Sequence, residues 1–453
     1  MEQLLLRDIA VALNLEYSGN KAIAYICSDS RAVTPGCLFV ALSGERFDGH
    51  DYVTKALEQG AAMAVVMQDN AAWPQAQILR VEDTRQAMLD IAGLYRCKMN
   101  IPVVAVTGSV GKTTTKEMIA CVVSAGFKTL KTEANLNNEI GLSQTIYGIT
   151  REHEAAVLEM GMDGPGQIAP LSRSAAPNVG VLTNIGVSHF EALGSRENIL
   201  REKLDITAGM SDGATLVINI DNDMLANVNV PRLKLMSYGV NNPAAMVRAE
   251  GLACFSTHTT FRIYYNGMRY DASIPAMGEH NVYNALAAFC VGCALGIEPH
   301  RALATLRDYK PAGMRQKVVT HCGYTVVEDC YNASPDSMVV AMKTLGNLKV
   351  AGKRIAILGD MLELGKLAEQ AHCEVGAAAA KYGVDMLYCT GSLAQLICKG
   401  AQNAGMQNAF WFESKEELFA ALKPNLAEED LCWVKASRGV HLEEVLTMIY
   451  KSN

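Results

Sequence analysis

The chain has 453 residues, half of them hydrophobic and 19% charged, with a formal net charge of −7. That length exceeds one ordinary core and predicts about three domains. The negative balance excludes a general attraction to nucleic acid or anionic membrane, and no apolar run is long enough to span a bilayer. The start, MEQLLLRDIAVALN, spaces apolar residues helically and has neither a basic lead nor a small-residue cleavage site, which predicts a folded helix in a cytoplasmic protein. Thirteen scattered cysteines, an odd number, predict reduced and mostly buried thiols. Cys290 and Cys293 sit among Ala, Val and Gly and are read as core packing.

The first segment, residues 1–82, continues with a buried strand, CLFVAL, an Ala-rich helix from Tyr52 to Gly60 and a strand from Ala62 to Met67. Two loops flank CLFVAL. They carry Ser28, Asp29, Ser30 and Arg31 on one side, and Gly44, Arg46, Phe47, Asp48 and His50 on the other. Cations beside small hydrogen-bonding groups suit a phosphorylated ligand.

The second segment, residues 83–311, opens on VVAVTGSVGKTTTKEM. A β-branched strand, a glycine loop and a helix follow one another, the order of a phosphate-binding loop, although the first glycine of the usual pattern is Val106. Backbone N–H groups across Gly108, Ser109, Val110, Gly111, Lys112, Thr113 and Thr114 and the helix N-terminus suit phosphate oxygens. Lys112 adds a point charge and the Thr113 hydroxyl suits Mg²⁺. Glu159 ends the next apolar strand, AAVLEMG, where a carboxylate reaches a metal on an ATP phosphate. His189 follows the strand in TNIGVSH and approaches the same crevice. Lys203, in SRENILREKLDI, reads from spacing alone as a solvated helix lysine. ANLNNEIG, with Asn137 and Asn138, suits a polar substrate or a helix cap. In MGEHNVYNALAA, Asn281 and Asn284 share one helical face and fit either a site or a cap. A β-rich insertion is expected from Met246 to Ile274.

The third segment, residues 312–453, alternates strands (YTVVED, RIAILGD, MLYCT, LCWVKA) with amphipathic helices. The pattern predicts a Rossmann-like parallel sheet with ligands at strand carboxyl ends. VVEDCYNASPDSM brings Asp329, Asn332 and Ser334 to that edge, and KASRG brings Lys435 and Arg438. The fold class is therefore α/β in three domains: a small α/β domain, a central phosphate-loop domain and a C-terminal Rossmann-like domain.

Nine motifs taken in order, from DSRAVTPGCLFVALSGERFDGHD through TGSVGKTTTKEM, NLNNEIG, LEMG, TNIGVSH, GEHNVYNALAA, YNASPDSM and GDMLELG to KASRG, make the chain resemble the Mur ligases, ATP-dependent amide ligases of peptidoglycan precursor synthesis. The resemblance is nearest to the family member that joins D-alanyl-D-alanine to UDP-N-acetylmuramoyl-tripeptide. It implies that the first domain holds the UDP part (Ser30, Arg31, Gly44, Arg46, Asp48, His50, with Asn137 and Asn138) and that the second binds ATP. The third would close over both, with Asn332, Ser334 and Arg438 at the acceptor. It implies nucleotide contacts at Asn284, Arg315 and Asp329, and two Mg²⁺ sites at Thr113, Glu159 and His189. It also gives Lys203 a role, as a carbamylated lysine supporting the second Mg²⁺. A monomer is expected. The sequence departs from the family pattern at Cys330, Ser334 and Ala436, and a DNPR-like acceptor motif is absent from it. Two alternatives stand beside this reading: a folylpolyglutamate synthetase-like ligase and a non-catalytic nucleotide-binding regulator.

Overall fold

The computed structural model describes residues 1–44, 47–311 and 313–452, so Arg46 lies outside the described residues. Three α/β sheets follow one another along the chain. The first has four parallel strands in sequence order, Ile26–Cys27, Leu38–Val40, Met63–Val66 and Ile78–Arg80. The expected initial helix is Leu6–Ala12, preceded by a two-residue strand, Leu4–Leu5, paired with Ala22–Ile23. The expected Ala-rich helix starts as a 3₁₀ turn, Gly49–Tyr52, and becomes α-helical over Val53–Glu58.

The central sheet has nine strands. Its parallel part runs Thr129–Lys131, Ala155–Glu159, Val103–Thr107, Val179–Leu182, Thr215–Asn219, Lys234–Gly239, Val247–Cys254. Every residue of Val103–Thr107 and Ala155–Glu159 is buried, as a parallel sheet covered by helices on both faces requires. The β-rich insertion is no separate unit. Thr259–Tyr265 and Met268–Ile274 add antiparallel strands to the end of this sheet. One face packs against Thr84–Lys98, Glu139–Tyr147 and Ile168–Ala175, in a core continuous with that of the first sheet. The other face is covered by Lys112–Val123 and the long helix Glu279–Ala294, where Cys290 is fully buried. These two helices lie close: a Cβ on Gly292 would stand 2.7 Å from Val122 Cγ1.

From Val103–Thr107 the chain goes to one side of the sheet for the next two strands and to the other side for the following six. The phosphate loop therefore leaves the sheet at its topological switch point, where neighbouring strand ends diverge and leave a crevice.

The C-terminal sheet orders Lys317–His321, Tyr324–Glu328, Leu431–Lys435, Arg354–Gly359, Met386–Thr390 and Ala409–Phe412, parallel apart from the first hairpin. Asp329, Asp360 and Lys435 end three adjacent strands on one edge, which faces the central domain. Among the described residues no helix is long and apolar enough to cross a membrane.

Candidate active site

The loop after Val103–Thr107 has its shape because two glycines accept what other residues resist. Gly111 has φ +83, and at Gly108 a Cβ would lie 1.9 Å from Thr183 Oγ1. Asn184, at the end of the neighbouring strand, anchors the loop: its carbonyl accepts the Ser109 N–H (3.0 Å), its Oδ1 accepts the Val110 N–H (3.0 Å), and its Nδ2 donates to the Val110 carbonyl (2.9 Å). Two loop N–H groups are thus taken, and those of Gly111 and the start of the helix are the ones left to face an anion.

Lys112 Nζ rests on the Gly108 carbonyl at 2.9 Å. Burial pulls its pKa below the ordinary lysine value, with Glu159 opposing. In register with Val106, Glu159 is 2% exposed. Its Oε1 accepts from Thr113 Oγ1 (3.2 Å) and Asn137 Nδ2 (2.9 Å), while buried Oε2 has no hydrogen-bond partner. Lys116 Nζ stands 3.9 Å behind Oε2. A buried carboxylate oxygen without a hydrogen-bond partner beside a threonine hydroxyl suits a hard cation. Among the described residues no three His, Cys, Asp or Glu side chains form a ready-made metal cluster. The one-carboxylate arrangement instead fits Mg²⁺ shared with substrate phosphates.

His189 lies on the other side of the loop, with φ +64 and Nδ1 3.5 Å from Glu363 of the C-terminal domain. Burial, then the Lys112 and Lys203 charges, push its pKa down to about 4, so the ring is neutral at physiological pH and offers a lone pair. Lys203 is 1% exposed, in contrast with the solvated lysine its spacing suggests. The adjacent Glu202 does not serve it: that carboxylate accepts the Gly166, Gln167 and Ile168 N–H groups at a helix start. Burial and the Lys112 charge hold the Lys203 pKa well below the lysine value.

A cavity of about 710 Å³ joins the loop, Glu159 and His189 to the C-terminal domain, while Lys203 is not in its wall. Its lining includes Ser109 to Thr114, Asn137, Glu159, His189, Asn284, Arg315, Asp329, Asn332, Ser334 and Lys435. Arg315 stacks over Tyr331 with its guanidinium carbon 4.1 Å from the ring centroid. Asp329 is held by Lys435 (3.0 Å) and Trp433 Nε1 (3.2 Å). Ser334 opens the helix Pro335–Asn347, and its N–H donates to Ser337 Oγ.

Other expected site residues lie elsewhere. Arg438 is half exposed, pairs with Glu443 (2.9 Å) and is not in the cavity wall. Asn138 caps the helix Glu139–Tyr147 by accepting the Gly141 N–H, while its neighbour Asn137 reaches Glu159. Ser30 and Arg31 follow the strand Ile26–Cys27, and Gly44, Asp48 and His50 follow its parallel neighbour Leu38–Val40, on the first domain. Arg31 is paired with Asp29 at 2.7 Å. His50 is buried; its Nδ1 engages Asp48 (2.5 Å) and its Nε2 accepts the Met67 N–H (3.0 Å), so it shapes the loop with both ring nitrogens occupied. Arg85, unmarked in the sequence, joins the first domain to the second by binding both the Ser43 carbonyl (3.1 Å) and Glu139.

Family models for the Mur ligase family catalytic domain, the Mur ligase middle domain and the Mur ligase glutamate ligase domain match residues 22–96, 106–292 and 314–438. The chain belongs to the Mur ligase family. A relative in Bacillus subtilis, a UDP-N-acetylmuramoyl-tripeptide–D-alanyl-D-alanine ligase, is 38% identical over 431 residues, 94% of this chain and 93% of its own. The crystal structure of a MurF from Acinetobacter baumannii matches with a TM-score of 0.92 at 27% identity over the whole of both chains. A MurF ligase from Thermotoga maritima in complex with ADP gives 0.86 at 28%, covering 94% of this chain and 97% of that one. Of the three residues at which this Mur ligase departs from the family pattern, Cys330 and Ala436 are buried in the C-terminal core, whereas Ser334 reaches the cavity.

Proposed function

We propose that the chain is the ATP-dependent ligase that joins D-alanyl-D-alanine to UDP-N-acetylmuramoyl-tripeptide, making the pentapeptide precursor of peptidoglycan. The observation that carries this reading is the convergence of Lys112, Glu159 and His189 on one crevice, in a chain whose relatives of that name match it nearly end to end. Residues 1–82 would take the UDP part, 83–311 ATP, and 312–453 the acceptor, in a cytoplasmic monomer. Neither alternative reading gains a specific observation in its favour.

The γ-phosphate of ATP passes to the tripeptide carboxylate, giving ADP and an acyl phosphate. The dipeptide amine attacks the carbonyl carbon, the C–O bond to phosphate breaks, and phosphate leaves while the amine sheds a proton. Thr113, Glu159 and His189, with Lys203 as a carbamate, would hold Mg²⁺ at two sites, and the bound metal supplies charge neutralisation on the phosphoryl oxygens. Lys112 contributes a fixed positive charge to the same transition state. Asn284, Arg315 and Asp329 line the nucleotide side. Approach of the C-terminal domain excludes water that would hydrolyse the acyl phosphate.

Acceptor choice tests the reading. Asn332 is exposed in the cavity wall, where it suits a dipeptide's amide or carboxylate, and a single amino acid would leave such polar groups unpaired. Phosphate release with the UDP-tripeptide should favour D-alanyl-D-alanine over D-alanine by at least about 10²-fold in kcat/KM. Comparable values for the two acceptors would refute it. Asn332→Ala should raise the dipeptide KM more than Ser334→Ala, because the Ser334 backbone contact to Ser337 survives its substitution.

A further inference from the structure

The loop helix, the helix Glu279–Ala294 and the segment entering the C-terminal domain share one chain of side-chain hydrogen bonds. Thr115 Oγ1, one turn after Lys112, donates to Asn284 Oδ1 (2.9 Å), and Asn284 Nδ2 donates to Asn281 Oδ1 (3.0 Å). Asn281 Nδ2 then donates to Gln316 Oε1 (2.8 Å) and the Met277 carbonyl (2.8 Å). Gln316 Nε2 lies 2.6 Å from His280 Nε2, and Asn281 Nδ2 lies 3.2 Å from the same nitrogen. Both hydrogens of Asn281 Nδ2 are spent on Gln316 Oε1 and Met277, so Gln316 Nε2 is the donor to this ring nitrogen, which accepts, and Nδ1 carries the proton. Burial holds the His280 pKa below its ordinary value, in keeping with a neutral ring.

Gln316 occupies a revealing place. With Arg315 it lines the cavity, and it precedes Lys317–His321, the first strand of the C-terminal sheet. Its φ is +56, a left-handed conformation that glutamine rarely adopts. Such a conformation persists where surrounding contacts over-determine it, and here those contacts are the two amide bonds just named.

We propose that Gln316 is a positioning residue for nucleotide binding: its amide ties the entry to the C-terminal domain to the Asn281–Asn284 face, and so fixes where Arg315 stands relative to the phosphate loop. Because Asn284 is bonded to the loop helix itself, a displacement of this entry segment pulls on the helix whose N-terminus would meet the phosphates, and an occupied loop steadies the segment in return. The inference rests on the ATP-dependent reading above.

Gln316→Gly tests it, since glycine accepts the positive φ while removing the amide. Gln316→Asn is the companion variant; asparagine also tolerates this φ but is one methylene too short to span Asn281 and His280. Mg·ADP affinity by calorimetry should weaken by about tenfold in Gln316→Gly, the worth of one or two amide hydrogen bonds. The KM for ATP should rise in proportion and the KM for the UDP-tripeptide should stay unchanged. Small-angle scattering should show less nucleotide-induced compaction than in the wild type. Gln316→Asn should fall between the two. Wild-type ADP affinity and compaction in both variants would overturn the proposal. So would an equal rise in the KM for the UDP-tripeptide, the mark of general loosening. Failure of the wild-type protein to bind Mg·ADP would instead strike at the ligase reading.

Discussion

Replacing Lys112 or Glu159 with alanine lowers kcat by about 10²-fold or more at saturating Mg²⁺, because each change removes a charge that acts on the transferring phosphoryl group. The two variants should remain folded. Lys112 Nζ contacts only the carbonyls of its own loop; Glu159 accepts from Thr113 and Asn137 and faces buried Lys116 at 3.9 Å, so Glu159→Gln, which keeps an acceptor oxygen, is its companion variant. The expected signature is therefore a collapse of ADP release with little change in melting temperature. Near-normal turnover in either variant would sink the assignment of the loop to phosphoryl transfer.

Lys203→Ala should be comparably damaging and, unlike those two, should be repaired in part by acetate or formate. CO₂ adds only to a neutral amine, and the product carbamate forms with loss of a proton. Lys203 meets the requirement: it is almost fully buried, and burial together with the Lys112 charge disfavours its ammonium form. A carbamate there would place a negative group in the field of the Lys112 charge, which disfavours an ammonium at the same position. Carbon-13 NMR under labelled CO₂ gives a readout independent of turnover: wild-type protein should show a carbamate resonance that Lys203→Ala lacks. Full activity of the variant without added carboxylate, or an unlabelled wild-type lysine, would remove the carbamate from the account.

The parts of the site visible in the sequence are those fixed by strand ends. Glu159 and His189 each follow an apolar run flanking the loop strand, and period-free hydrophobic strands in an α/β chain carry their next polar residue to one edge. Lys203 was invisible to that logic, because its helix reads as charged and solvated until tertiary packing turns its last turn inward. Adjacent asparagines in NLNNEIG are equally opaque: Asn137 reaches Glu159 and Asn138 caps a helix, a division set by backbone direction. Arg85, Asn184 and Gln316 gave no local signal. Their partners lie 54, 74 and 35 residues away, at Glu139, Val110 and Asn281, and only the folded chain brings them together. The insertion after Gly239 was legible as β-structure, while its role as a continuation of the central sheet depends on pairing between Tyr238 and Val247.

Mass spectrometry of the product tests the central claim most directly. Purified protein with ATP, Mg²⁺, UDP-N-acetylmuramoyl-tripeptide and D-alanyl-D-alanine should convert the donor to a species heavier by one dipeptide less one water, with ADP and phosphate formed in equal amount. ATP consumed with the donor mass unchanged, or a donor extended by a single amino acid in place of the dipeptide, would contradict it.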